Sequence, residues 1–387
     1  MGNYKVISSD SHVVEPPDIW VDRMDKNKFG DRIPHMVKGD PHDFWSVDNK
    51  ATGQMGAITQ AGRRFDRPQD IIQEGAFADV RPGGYIPSEH VKDMETDGIY
   101  GGLVYPSVGL ALYRDMEDTE LTQAVFSAYN DWLADFCNAY PDRLKGAAMI
   151  VIDDKVEDAI NEIRRASENG LNSAMISSHP RADLTYDQPM YEPLWAASEE
   201  MGITLNLHVT TNRPGAQPVP TGASLSSDQL GFRGASLASR TASGIQNEYW
   251  VRMSLCHIIF SGVLERYPKL KFANVEHELG WIPFFINRMD RAYQEKQQGI
   301  PVWFKNDALP SDFMRNNVYH SFQEDGLGIQ LRHIIGVENL MWGSDYPHAE
   351  STFPKSLEIL DKILEGVPED EKALIVGENA AKLYDFN

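Results

Sequence analysis

A parallel α/β protein closed as a (β/α)8 TIM barrel is the fold class this sequence predicts, on three observations. Eight short β-branched or apolar runs recur along the 387 residues. Most are followed by segments whose apolar residues repeat at helical spacing, and strands that alternate with helices pair in parallel. About 250 residues is typical of an eight-unit barrel. The surplus here gathers into two long stretches, one after the first run and one after the fifth.

In order, the runs are "YKVISSD" (4–10), "GGLVYPS" (101–107), "LKGAAMIVI" (144–152), "LNSAMISS" (171–178), "ITLNLHV" (203–209), "LKFANVE" (270–276), "NVYHSF" (317–322) and "NLMWGSDYP" (339–347). Helices are expected at 120–141, at 191–202 and at 156–170. In the last, Ile160, Ile163 and Ala166 share a face and Gly170 stops the helix. Residues 20–95 form the first insertion, rich in Trp, Gly and charge. Residues 209–248 form the second, dense in Gly, Pro, Ser and Arg. Loops of this length inside a compact domain are uncommon unless functional. Both leave the C-terminal ends of strands, the face on which barrel active sites are built. No internal repeat or linker interrupts the pattern, so a single domain over 1–387 is expected, with lid-like insertions at about 20–95 and 209–248.

An apolar fraction of 42% with 10% aromatics supplies a large core and excludes global disorder. A formal charge of −21 excludes a nucleic-acid surface held by phosphate contacts. Cys137 and Cys256 are the only cysteines, too few for a disulfide framework or a cysteine-based zinc site. A reducing, cytoplasmic setting is therefore expected. "MGNYKVISSD" enters a strand pattern at once, so no signal peptide is expected. No apolar run approaches the ~18–20 residues of a membrane span, so no membrane partner is expected either.

Metal-capable residues cluster at strand ends. Asp10 and His12 close the first run, His208 the fifth and His277 the sixth, while Asp345 ends the eighth and His348 follows it. Side chains alternate along a strand, so Asp10 and His12 face the same way, inward at the barrel mouth. That spacing lets one strand present two donors to one ion. With His208 and Asp345 they make an N2O2 set suited to zinc, manganese or iron(II). A lone strand-end histidine is most often structural, and a single Asp-x-His is a weak signal. Four such residues converging on one mouth carry the metal expectation.

The segments "SSDSHVVEPPDIW", "LNLHV", "FSGVLERYPKLKFANVEHELGWIPFFINRMD" and "MWGSDYPH" together resemble the amidohydrolase-related family that contains aminocarboxymuconate-semialdehyde decarboxylase. The resemblance runs from residue 6 to the C-terminal "ENAAKLYDF" and is weakest in 20–95. It implies a barrel of the metal-dependent hydrolase type, in a family of decarboxylases, carbon–carbon hydrolases and hydratases. It places the metal ligands on Asp10, His12, His208 and Asp345, and the catalytic histidine on His277. Many members carry His-x-His on the first strand. Asp-x-His adds a carboxylate and shifts the preference toward manganese or iron(II).

Glu15, His257, Glu276 and His348 are further candidates, either as ligands of a second ion or as groups that orient the first four. One divalent metal ion (Zn, Mn or Fe) is expected, and the ligand count allows two. Without a second ion, His257 is a buried helix-face histidine with its own hydrogen bond.

An open metal position lowers the pKa of a bound water toward ~7 and polarises a substrate oxygen. His277 suits general acid or base work, with an unperturbed pKa of about 6.5. Hydrolysis and non-oxidative decarboxylation use the same parts, and the residues do not separate them. Arg213, Arg233 and Arg240 in the second insertion, and Arg63 with Arg64 in the first, are candidate partners for a small anionic substrate. Each reads equally well as a loop arginine on the surface. The expected function is therefore a metal-dependent hydrolase or carboxy-lyase acting on a small carboxylate. The alternatives are a dinuclear iron or manganese hydrolase or oxygenase, and a barrel subunit of a hetero-oligomeric enzyme. The family resemblance implies a homodimer or higher oligomer.

Overall fold

The computed structural model describes residues 4–40, 42–52, 55–71, 75–213, 245–295 and 304–387. Eight strands pair in parallel, in chain order: β1 (Ile7–His12), β2 (Gly101–Tyr105), β3 (Leu144–Met149), β4 (Ser173–Ile176), β5 (Thr204–His208), β6 (Phe272–Val275), β7 (Val318–Phe322) and β8 (Leu340–Trp342). The sheet curls until its edges meet. Asp345 donates its N–H to the Asp10 carbonyl at 2.8 Å, and His12 donates to the Tyr346 carbonyl at 2.6 Å. The fold is the predicted (β/α)8 barrel.

The strands are mostly shorter than the sequence pattern, and two of the differences shape the mouth. β1 starts later than expected and runs on through His12. Its register against β2 slips by one residue between Ser8 and Ser11, the mark of a bulge, and bulges re-aim side chains. Asp10 sits in that slip. β8 stops at Trp342, because Asp345 takes a positive φ of 57° and turns the chain across the end of β1. Gly343 is required where the two segments cross: a Cβ there would lie 2.5 Å from the Asp10 Cβ.

Among the described residues, helices of eight residues or more are α1 (Pro87–Asp97), α2 (Val108–Asp115), α3 (Thr119–Asn138), α4 (Val156–Glu168), α5 (Glu192–Met201), α6 (Tyr249–Phe260), α7 (Ile282–Gln294), α8 (Pro310–Asn317) and α9 (Ser356–Ile363). α3 begins where the Asp118 carboxylate accepts the Leu121 N–H, and it buries Leu121, Val125, Tyr129 and Leu133 along one stripe. α4 buries Ala159, Ile160, Ile163 and Ala166, and Gly170 follows it at φ 98°. No helix among the described residues is long and apolar enough to cross a membrane.

The first insertion contains a three-stranded antiparallel sheet that its polar composition concealed: His35–Val37, Phe44–Val47 and Lys50–Thr52. Asp48 and Asn49 form its two-residue hairpin loop, both at positive φ, the geometry a right-twisted hairpin favours. This hairpin carries Trp45 to Trp20, where the two buried indoles meet edge to face at 5.1 Å.

Arg213, just past β5, is buried with Asp153. Its Nε donates to Asp153 Oδ2 at 2.7 Å, and its Nη1 donates to the Tyr113 carbonyl. Removing one partner of such a pair strands a buried charge, whereas replacing both with apolar groups is often neutral. Asp153→Ala is therefore expected to cost about 3–5 kcal/mol in urea unfolding, and the Asp153→Leu/Arg213→Met double substitution far less. Equal losses in both variants would contradict this.

Candidate metal centre at the barrel mouth

The ends of β1, β5 and β6 bring one donor atom each from Asp10, His12, His208 and Glu276 within 4.8 Å of one another, and Asp345, in the turn after β8, joins them at His12. His12 Nε2 lies 3.2 Å from Asp10 Oδ1 and 3.3 Å from Asp345 Oδ1. His208 Nε2 lies 3.4 Å from Asp10 Oδ1 and 3.6 Å from Glu276 Oε2. All of these residues but Glu276 are almost fully buried. Asp10 Oδ1, His12 Nε2 and His208 Nε2 find no hydrogen-bond partner outside this group, and Asp345 Oδ1 meets only His12 and His348. Donors about 2.1 Å from a common centre, 90–110° apart, stand roughly 3.0–3.4 Å from each other. The observed spacings match a coordination shell.

The histidine tautomers agree. His12 Nδ1 is 2.8 Å from the Pro106 carbonyl, and His208 Nδ1 is 3.1 Å from the Val209 carbonyl. A carbonyl accepts only an N–H, so each ring is protonated at Nδ1 and turns an Nε2 lone pair to the centre when neutral.

The charge balance also calls for a cation. Burial raises the Asp10 carboxyl, but the His12 and His208 rings bonded to it bring it below the usual carboxylate range. Burial lowers His12, but Asp10 and Asp345 pull it well above an ordinary imidazole. Burial, with the charges of Asp345 and Asp10, pushes Glu276 well above the carboxylate range. Protons thus stand in for missing positive charge, and a divalent ion supplies that charge with neutral rings.

Beyond β6 the chain turns sharply, with Glu276 at φ 61° and Glu278 at φ 54°. His277, between them, is buried with neither ring nitrogen in a hydrogen bond. Burial, reinforced by His208, pushes it down to about 3, so the ring is neutral. His348 stacks on His12 at 4.0 Å, with its Nδ1 2.7 Å from Asp345 Oδ1 and its Nε2 2.9 Å from Ser107 Oγ. It therefore orients Asp345.

Other candidates are engaged elsewhere. The Glu15 carboxylate accepts the N–H groups of Val108 (2.9 Å), Gly109 (2.8 Å) and Ser107 (3.3 Å), so it caps α2 instead of facing the donors. His257 lies outside the donor groups, its ring 5.9 Å from that of His179 on the wall of another cavity. Arg213 is held by Asp153 and is not among the residues lining the mouth cavity. Arg64 pairs with Glu324, and Arg63 donates to Gln60. Arg233 and Arg240 lie outside the described residues, as does most of the second insertion.

A cavity of about 390 Å³ opens beside the donors. Glu276, His348 and Glu350 line its polar side, and Trp45, Met55 and Ile58 from the first insertion line its apolar side. α2 contributes Leu110, Ala111 and Arg114. Glu350 and Arg114 were not anticipated from the sequence. Glu350 stands two residues beyond His348 in "GSDYPHAE", and Arg114 repeats at helical spacing with Leu110 and Ala111 in "VGLALYRD".

An amidohydrolase family model matches residues 35–386. The chain belongs to the amidohydrolase family. A curated relative, the gamma-resorcylate decarboxylase of Rhodococcus jostii (strain RHA1), is 23% identical over 276 residues, covering 67% of this chain and 75% of its own. Among solved structures, an amidohydrolase from Mycobacterium avium subsp. paratuberculosis K-10 superposes with a TM-score of 0.76 at 22% identity, covering 99% of this chain and all of its own. A dihydroxybenzoic acid decarboxylase from Polaromonas sp. JS666, solved with manganese and 2-nitroresorcinol, gives 0.65 at 16% identity over 99% and 98% of the two chains. This amidohydrolase is an enzyme of hydrolase or carboxy-lyase type with a candidate metal site.

Asp10→Ala and His12→Ala each remove one donor. Metal measured by plasma mass spectrometry, on protein purified without chelators, is expected to fall at least tenfold in both. Full occupancy in both variants would refute the assignment.

Proposed function

We propose that this amidohydrolase is a metal-dependent, non-oxidative carboxy-lyase acting on a small carboxylate-bearing substrate. Hydrolysis by the same parts is the nearest alternative. The observation that carries the reading is a buried histidine with two unpaired nitrogens, His277, next in the chain to Glu276, which lines the mouth cavity and stands 3.6 Å from His208 Nε2. The decarboxylase relative favours the lyase over the hydrolase.

Asp10, His12, His208 and Asp345 would hold a divalent cation, manganese or iron(II) being favoured by two carboxylates and no thiolate. When bound, that ion fixes a substrate carboxylate or phenolate oxygen and draws off negative charge. His277 is placed to carry the proton. In decarboxylation the C–C bond to the carboxylate breaks, CO2 leaves, and the vacated carbon takes a proton. A ring that is neutral at rest must first accept a proton, from the substrate or from water, before it delivers one. Trp45, Met55 and Ile58 exclude water from the reacting carbon, which strengthens the electrostatic contacts within.

His277→Asn is expected to keep the metal and to lower turnover by about 10²–10⁴-fold, the range for losing a general acid or base. The measurement is CO2 release from a panel of hydroxybenzoates, with metal content in parallel. Loss of the metal would make His277 a ligand instead, and release of a hydrolysis product without CO2 would select the alternative.

A second reading has its own observation. Oxygens of Glu276, Asp345 and Glu350 lie within 4.8 Å of one another, a further group with the composition of a cation site that shares Asp345 with the proposed ligands. Under it the enzyme would be dinuclear, with hydrolase or oxygenase chemistry. One ion per chain is the expected stoichiometry. Two anomalous-scattering peaks of full occupancy within ~4 Å would select the dinuclear form.

A further inference from the structure

Glu276, His348 and Glu350 tie one end of the mouth cavity to the donors and leave the cation on its wall without a role. α2 starts beside the centre: Ser107, its first neighbour, is in contact with His348, and Glu15 caps its N–H groups. Val108, Leu110, Ala111 and Arg114 then follow at helical spacing and all line the cavity. The six-residue advance from Val108 to Arg114 carries the wall about 9 Å along the helix. Trp45, Met55 and Ile58 line the same cavity, so its middle stretch is apolar. The other ionisable liners, Glu276, His348 and Glu350, belong to the metal end, and Arg114 is the one Lys or Arg side chain among the described lining residues.

Arg114 is also oriented. Its Nε donates to Asp115 Oδ1 at 2.7 Å and its Nη2 to Asp115 Oδ2 at 3.1 Å, while Asp115 accepts the Thr52 hydroxyl from the insertion hairpin. The guanidinium plane is thereby held, Nη1 makes no hydrogen bond among the described residues, and the side chain is still 46% exposed. A fork held this way, with free donor capacity in an otherwise apolar and acidic cavity, matches a carboxylate.

We propose that Arg114 binds a second carboxylate of the substrate, so that the enzyme takes dicarboxylates whose two acid groups are separated by a flat apolar body. One carboxylate goes to the metal end and reacts. The other meets Arg114 Nη1 and stays, while the spacer packs on Trp45, Met55 and Ile58. This rests on the metal-dependent reading above and adds a substrate class to it.

Calorimetric titration of manganese-loaded enzyme with benzoate and with terephthalate tests the subsite apart from the chemistry. Wild type is expected to bind terephthalate at least tenfold tighter than benzoate. Arg114→Gln is expected to abolish that difference with benzoate affinity, metal content and melting temperature unchanged, and Arg114→Lys to keep part of it. A terephthalate preference that survives Arg114→Gln, an equal loss for both ligands, or no terephthalate binding at millimolar concentration overturns the proposal. Repeating the titration on metal-free enzyme separates the two readings. Benzoate binding that does not depend on metal counts against the metal-held carboxylate, while the Arg114-dependent ratio stands or falls by itself.

Discussion

Asp10 and Asp345 are buried side by side where the barrel closes, and the rest of the mouth accommodates that crowding of negative charge. Asp345 donates its backbone N–H to Asp10, so barrel closure and donor placement are one event. Both buried carboxylates flank His12 Nε2, at 3.2 and 3.3 Å, each grouped with Glu276, and buried carboxylates so placed are tolerated only beside positive charge. The imidazoles of His12, His208 and His348 gather around them, two of those rings braced by backbone carbonyls. A divalent cation satisfies the same demand more completely. The site is therefore an electrostatic consequence of how β1 and β8 meet.

A layer of buried polar contacts supports that junction. The Ser8 hydroxyl contacts that of Ser344 at 3.1 Å, and the Ser9 hydroxyl that of Ser321 at 2.8 Å, tying β1 to β7 and to the turn after β8. Deeper in the barrel, Asn206 Oδ1 accepts the hydroxyls of Tyr105 (3.0 Å) and Tyr384 (2.8 Å). Buried polar groups that are paired in this way specify one arrangement, because any alternative leaves a donor or acceptor stranded. Donor atoms rooted in such a floor stay where coordination needs them.

The insertion after β1 supplies what the barrel lacks. The donors are polar, and the insertion adds an apolar wall to the cavity beside them. The hairpin turning at Asp48 and Asn49 brings in Trp45, and the same chain continues to Met55 and Ile58. Thr52 of that hairpin contacts Asp115, which orients Arg114. One element thus shapes the apolar wall and sets the polar fork on α2.

By itself, the sequence determined the barrel and the strand ends at which its metal-capable residues gather. Both follow from local periodicity: strands alternating with helices force parallel pairing, and Asp10 and His12, two residues apart, must share a face. Residues whose role depends on a partner far along the chain were decided only by the tertiary structure. Glu15 is three residues from His12, yet it caps α2, because the N–H groups of residues 107–109 arrive there from across β2. Arg213 stands in a polar stretch of sequence, yet Asp153 and Tyr113 draw it into the interior. Arg114 has no local mark of function and reaches the cavity only because α2 lies along the mouth. Periodicity reports which side of its own element a residue occupies. What that side faces is set by packing between elements, which here depends on contacts 60 to 100 residues apart in the chain.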